Sequence, residues 1–155
     1  MDMCDNQVPE RRKRIMARLV LPGRPITKKN SEQITRNARS GKPGIIQSPQ
    51  YRRYEEACLW YLLSFRAPRF AGPVQVRVEY WMPNRRSWPD LLGLEQATAD
   101  ILERAHILQN DRDIVSWDGS RIAGVDKDNP RAAIEIEDIF SAYDKTKGAN
   151  YRTIS

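Results

Sequence analysis

At 155 residues, with 40% hydrophobic and 30% charged side chains, the chain fits one soluble domain long enough to bury a core. No apolar run approaches bilayer length and the polar N-terminus lacks the apolar centre of a signal peptide, so a cytoplasmic protein with no membrane partner is expected. Two cysteines (Cys4 and Cys58, no Cys-X-X-Cys) and one histidine argue against a disulfide framework or structural zinc, and the net charge of +6 points toward polyanions.

In chain order, residues 1–14 read as a flexible basic lead-in and residues 15–140 as the single folded domain. Residues 15–21 alternate in part and stop at Pro22-Gly23, which predicts a strand. Residues 23–48 are polar and rich in Lys, Arg, Asn, Ser and Gly, as in a long functional loop with room for a brief hairpin (34–35 against 44–46). From Arg11 to Arg53 the cations are numerous and the one acid is Glu32. Such a one-sided segment favours a nucleic-acid partner over a merely solvated face. Ser48 as N-cap and Pro49 at the first helical position open a helix. Tyr51, Tyr54, Ala57, Cys58, Tyr61 and Leu62 then recur at helical spacing, a stripe that reads as core rather than as a base-stacking platform.

After a break at 67–73, residues 74–82 alternate cleanly: Val74, Val76, Val78 and Tyr80 face one way, Gln75, Arg77, Glu79 and Trp81 the other. A basic connection leads to a second amphipathic helix over 91–105, with His106 at its end in a capping role. Residues 114–117, 120–125 and 132–136 predict short strands, the first two separated by an Asp118-Gly119 turn, and 141–155 form a polar tail. The element order predicts an α+β fold, a small mixed β-sheet with two main helices packed on it. No G-x-G-x-x-G or Walker pattern occurs, so no nucleotide cofactor is expected.

The acids gather late in the chain. Asp90 stands at the mouth of the second helix and Asp111 just beyond its end. Singly, Asp90 is an ordinary N-cap and Asp111 part of a polar turn. If the chain doubles back along the helix they meet, and carboxylates converging in a basic protein suit a hard divalent cation held against a phosphate.

Those residues carry a resemblance. Pro89-Asp90-Leu91-Leu92-Gly93-Leu94-Glu95-Gln96-Ala97, then Asp100-Ile101-Leu102, then Asn110-Asp111-Arg112-Asp113 resemble the signature of the RusA family of Holliday junction resolvases. Upstream, residues 21–30 resemble that family's first strand and basic loop, and 74–83 its central strand ending in Met-Pro; the similarity spans about 16–136. It implies a RusA-like homodimer that cuts four-way DNA junctions with Mg²⁺, Mn²⁺ being a possible substitute. It also implies that Asp90 and Asp111 are catalytic and hold the metal. The family's second aspartate falls on Leu92, its lysine on Gln96, its Asn on Gly93 and the first acid of its Asp-Asp pair on Asn110. Asp118 and Asp113, ahead of Glu79, are the candidates to complete the metal site, whereas Glu95 faces away from Leu92. Lys28, Lys29, Arg36, Arg39, Arg85 and Arg86 are the expected DNA-backbone contacts. Trp81 and Trp88 read as packing rather than junction wedges. The rival to a resolvase is a degenerate relative that binds branched DNA without cutting it, and a weaker third reading is an RNA-binding protein with a basic loop.

Overall fold

The computed structural model describes residues 15–28, 32–36, 39–86 and 88–139, with backbone alone for 32–36 and 43–47. The lead-in and tail expected at 1–14 and 141–155 lie outside them, as does Lys29. The elements are β1 (Met16–Pro22), β2 (Glu32–Arg36), β3 (Pro43–Gln47), α1 (Pro49–Ser64), β4 (Val74–Met82), α2 (Leu91–Arg104), β5 (Ile114–Ser116), β6 (Arg121–Val125) and β7 (Arg131–Asp138), with a 3-10 turn at Asp111–Asp113 before β5.

The main sheet is mixed. β1 pairs antiparallel with β7, and β7 antiparallel with β4. The other edge of β4 takes two short parallel strands end to end: β5 against Val74 and Gln75, and β6 against Glu79–Met82. A parallel neighbour needs a crossover, and α2 supplies it between β4 and β5. β2 and β3 form a separate antiparallel hairpin, which pairs Ile34 with Ile45 and Thr35 with Gly44 as expected for 34–35 against 44–46.

Alternation explains the layering. Ala17, Leu19 and Leu21 of β1, the four apolar residues predicted for β4 together with Met82, and Ala132, Ile134 and Ile136 of β7 are buried on one face. Against them pack Cys58 and Leu62 of α1 and Leu94, Ile101 and Leu102 of α2. The buried stripe of α1 is Tyr51, Glu55, Cys58 and Leu62; Ala57 and Tyr61, placed on that stripe by their spacing, are exposed because 100° per residue carries them past the seam. Ser48 caps α1 as expected, its Oγ accepting from the Tyr51 N–H at 3.2 Å.

The end of α2 fixes where the following acids go. His106 has φ 58°, its N–H donates to Glu103 O and the Ile107 N–H to Leu102 O, which together make a Schellman turn. The cap is made by backbone rather than by the imidazole. Ile107 and Leu108 then drop into the core beside Phe70, which bridges to Leu108. The chain therefore returns to the last turns of α2 instead of running back along its length.

Candidate functional site

Among the described residues, Asp100, Glu103 and Asp111 form a half-buried group whose ligand oxygens all lie within 4.8 Å of one another. Asp100 and Glu103 share a face because residues three apart on a helix are neighbours. Asp111 joins them from the 3-10 turn, which Asn110 caps by accepting the Arg112 N–H at 2.9 Å. Like charges this close repel, and cations or hydrogen-bond donors relieve them.

Lys28 and Arg104 act differently. Arg104 is held by the buried carboxylate of Glu55 on α1. Lys28 places its Nζ 3.7 Å from Asp100 Oδ2, while Gln96 Nε2 donates to Asp100 Oδ1 at 3.3 Å. Tyr51, fully buried on α1, carries a hydroxyl with no hydrogen-bond partner among the described residues. Burial, and secondly the charge of Asp100, push its phenol up to about 12. A buried polar group without a partner costs stability unless something meets it, and this one lies within electrostatic reach of the acidic group.

Sequence reasoning placed the site differently. Asp90 is the N-cap of α2, its Oδ2 accepting from the Gly93 N–H at 2.8 Å. About 15 Å of helix axis separates it from Asp100, so the structure brings Asp111 to the opposite end of α2 from Asp90. Asp113 ends the 3-10 turn, its N–H on Asn110 O at 3.1 Å, and Asp118 sits exposed in the turn between β5 and β6; neither is in the acidic group. Glu79 lies on the far face of the sheet with Arg77 and Arg121. Glu95 turns inward, where burial raises its carboxyl above the usual range. Leu92 is 77% exposed. Asp100 and Glu103 were not among the residues expected at a metal site. Their signal was two acids at i and i+3 near a helix C-terminus, where the dipole disfavours negative charge.

Of the basic residues, Lys28 is at the acidic group, Arg85 and Arg86 are exposed after β4, and Arg39 is exposed in the hairpin turn. The side chain of Arg36 is outside what is described. Trp81 is half-buried under the Arg131 guanidinium, 5.1 Å from the ring centre, a packing role. Trp88 is exposed and donates its indole N–H to Asn84 O. Cys58 is buried, and burial pushes its thiol up to about 12, far from the thiolate a nucleophile needs.

The fold is thus a small mixed sheet with a crossover helix whose last turns carry the clustered carboxylates. The family model of endodeoxyribonuclease RusA matches residues 22–137, about three-quarters of the chain. The chain belongs to the RusA family of endodeoxyribonucleases, whose general activity is Holliday junction resolution. A search of curated protein sequences returned no match. No helix among the described residues is long and apolar enough to cross a membrane.

Proposed function

We propose that this protein is a divalent-cation-dependent endonuclease of four-way DNA junctions, working as a homodimer, whose cation is held by Asp100, Glu103 and Asp111. The observation that carries this reading is the convergence of those three carboxylates within 4.8 Å in a chain of this family. Hard oxygen donors of this kind fit Mg²⁺, or Mn²⁺ in its place. A cation bound there supplies electrostatic stabilisation of the charge that builds on a phosphodiester as it is cut. The chain's own residues do the rest. Gln96 fixes the rotamer of Asp100, the 3-10 turn fixes Asp111, and Lys28, Arg39, Arg85 and Arg86 bind the DNA backbone, joined by Lys29 and Arg36. Two symmetry-related sites suit the near-two-fold junction and allow paired nicks.

Asp90 keeps a separate place in this proposal. It stands exposed at the opposite end of α2, about 15 Å of helix axis from Asp100, outside the cation site proposed at Asp100. Asn caps a helix as well as Asp, so Asp90→Asn tests the carboxylate without removing the cap.

The test is a labelled four-way junction incubated with Mg²⁺ or Mn²⁺. Asp100→Asn and Asp111→Asn are expected to abolish nicking while junction binding survives, and Asp90→Asn to keep Mn²⁺ binding. Parental cutting rates in both of the first two variants would overturn the site. Exposed Leu92, at a position where the family signature has an acid, favours the second reading, a junction binder. A shifted band that never yields nicked product in the parental protein with either metal decides for it.

A further inference from the structure

Tyr51 is fully buried on α1, yet its hydroxyl, a donor at neutral pH, has no hydrogen-bond partner among the described residues. We infer that Tyr51 is a positioning residue of the cation site: its hydroxyl donates to the Asp100 carboxylate when the cation is bound and fixes the plane in which that carboxylate meets the ion. This rests on the cation site proposed above.

The topology puts the two groups at one level. β1 and β4 are each antiparallel to β7 and so run parallel, and β5 runs parallel to β4. α1 lies in the connection from β1 to β4, α2 in the connection from β4 to β5, and both pack on one face of the sheet. Each returns against the strands, so the two helices run side by side in the same direction. The Glu55–Arg104 ion pair ties them together. Four residues back on each helix, one turn earlier on the same face, stand Tyr51 and Asp100. The electrostatics agree: after burial, Asp100 is the largest influence on the Tyr51 phenol, ahead of Cys58 and Arg104.

Asp100 has room for a further donor. Gln96 Nε2 reaches Oδ1 at 3.3 Å and Lys28 Nζ stands 3.7 Å from Oδ2, while an ionised carboxylate offers about four acceptor sites. Gln96 approaches along Asp100's own helix and Tyr51 from the facing one. Donors from two directions hold a carboxylate plane that one donor leaves free to swing. The other acid on this seam, Glu55, is already held by Arg104.

Tyr51→Phe keeps the ring and removes only the hydroxyl. The control is Tyr54→Phe, on the same helix with its ring against the Gly23 turn. Mn²⁺ binding to the full chain without DNA is read by electron paramagnetic resonance, and Tm without added metal by calorimetry. Tyr51→Phe is expected to bind Mn²⁺ about tenfold more weakly, the scale of a lost partner behind a metal ligand. Its Tm should not fall, because removing an unpartnered buried hydroxyl strands no other group. Tyr54→Phe should keep the parental affinity. A near-ultraviolet tyrosine difference spectrum on Mn²⁺ addition is expected in the parental protein and Tyr54→Phe and absent from Tyr51→Phe. Parental affinity in Tyr51→Phe, an equal loss in Tyr54→Phe, or weaker binding together with a lowered Tm overturns the inference and leaves the cation site standing. So does a parental protein that binds Mn²⁺ with no tyrosine difference spectrum, a reading that needs no variant to fold. No Mn²⁺ binding by the parental protein overturns the cation site itself and this inference with it.

Discussion

Replacing Gly93 by Ala separates packing from propensity because the two predict opposite signs. Gly93 lies in the first turn of α2, and in a helix Ala is favoured over Gly by roughly 0.5–1 kcal/mol. Nothing in the backbone dihedrals requires glycine there. The space does: a Cβ would sit 2.8 Å from Thr27 Cγ2 and 3.0 and 3.1 Å from the Asp90 carboxylate oxygens. Thr27 is buried beneath the loop that carries Lys28, so it has little room to retreat. Overpacking of this kind costs about 1–3 kcal/mol, and after the propensity gain about 1–2 kcal/mol of destabilisation remains. For a chain of this length that lowers Tm by about 3–6 °C, readable by calorimetry or urea melts. Thr27→Ser deletes the clashing methyl and keeps the hydroxyl. Gly93→Ala combined with Thr27→Ser should therefore recover about 1 kcal/mol relative to additivity. A rise in Tm for Gly93→Ala, or strict additivity of the pair, refutes the close approach of loop and helix.

Three further outcomes follow from buried polar groups. Thr98 has one hydroxyl proton and donates it to Leu94 O at 2.8 Å, so at 2.7 Å it accepts from Tyr80. Thr98→Val then leaves the Tyr80 O–H stranded and costs about 1–3 kcal/mol, while Tyr80→Phe costs about 1; urea midpoints in the reverse order contradict the assignment. Arg104→Met leaves the buried Glu55 carboxylate without its partner and should lower stability by about 1–3 kcal/mol, less than for a fully buried pair because Arg104 is half in solvent. A neutral effect there, or a larger loss for Glu55→Gln, rules the pair out as a tie between α1 and α2. Alkaline pH should unfold the protein. Burial raises Cys58 from 9.0 and Tyr51 from 10.0, each to about 12, and raises Tyr54 and Tyr80 as well. The native state keeps protons that the unfolded chain loses, so this stability is intact below about pH 9 and is lost as pH climbs toward the folded values, at about 1.4 kcal/mol per unit per group. Tyrosinate absorbance and far-UV circular dichroism should change together; tyrosinate forming near pH 10 in a folded protein would break the linkage.

How much of this was legible in the sequence depends on the range of the interaction. β4 and α2 were readable because each states its buried face within a few residues, by period two for Val74–Met82 and by Leu94, Ile101 and Leu102 for α2. The β2–β3 hairpin was visible at its centre, where 34–35 were expected against 44–46 and Ile34 pairs with Ile45 and Thr35 with Gly44, but not in its extent from Glu32 to Gln47. Glu55 was invisible as a buried residue. Its partner Arg104 lies on another helix, and no local rule assigns a charge to the inside of α1.

The expected meeting of Asp90 and Asp111 fails for a reason that can be located at one residue. Whether Asp111 meets the start or the end of α2 depends on what the chain does after Ala105, and an extended run from 106 onward would have carried it back toward Asp90. His106 adopts the left-handed conformation that glycine usually supplies, closes the helix with backbone bonds to Leu102 and Glu103, and sends Ile107 and Leu108 inward. A histidine there gives almost no sequence signal for a Schellman turn. Yet Ile107 and Leu108 are two apolar residues directly after an amphipathic helix, which implies immediate burial, and immediate burial leaves no length for a return. Asp111 must then lie near the last turns of α2, where the neighbouring acids are Asp100 and Glu103. The proposed cation site at those residues therefore stands or falls with the left-handed residue that makes the turn.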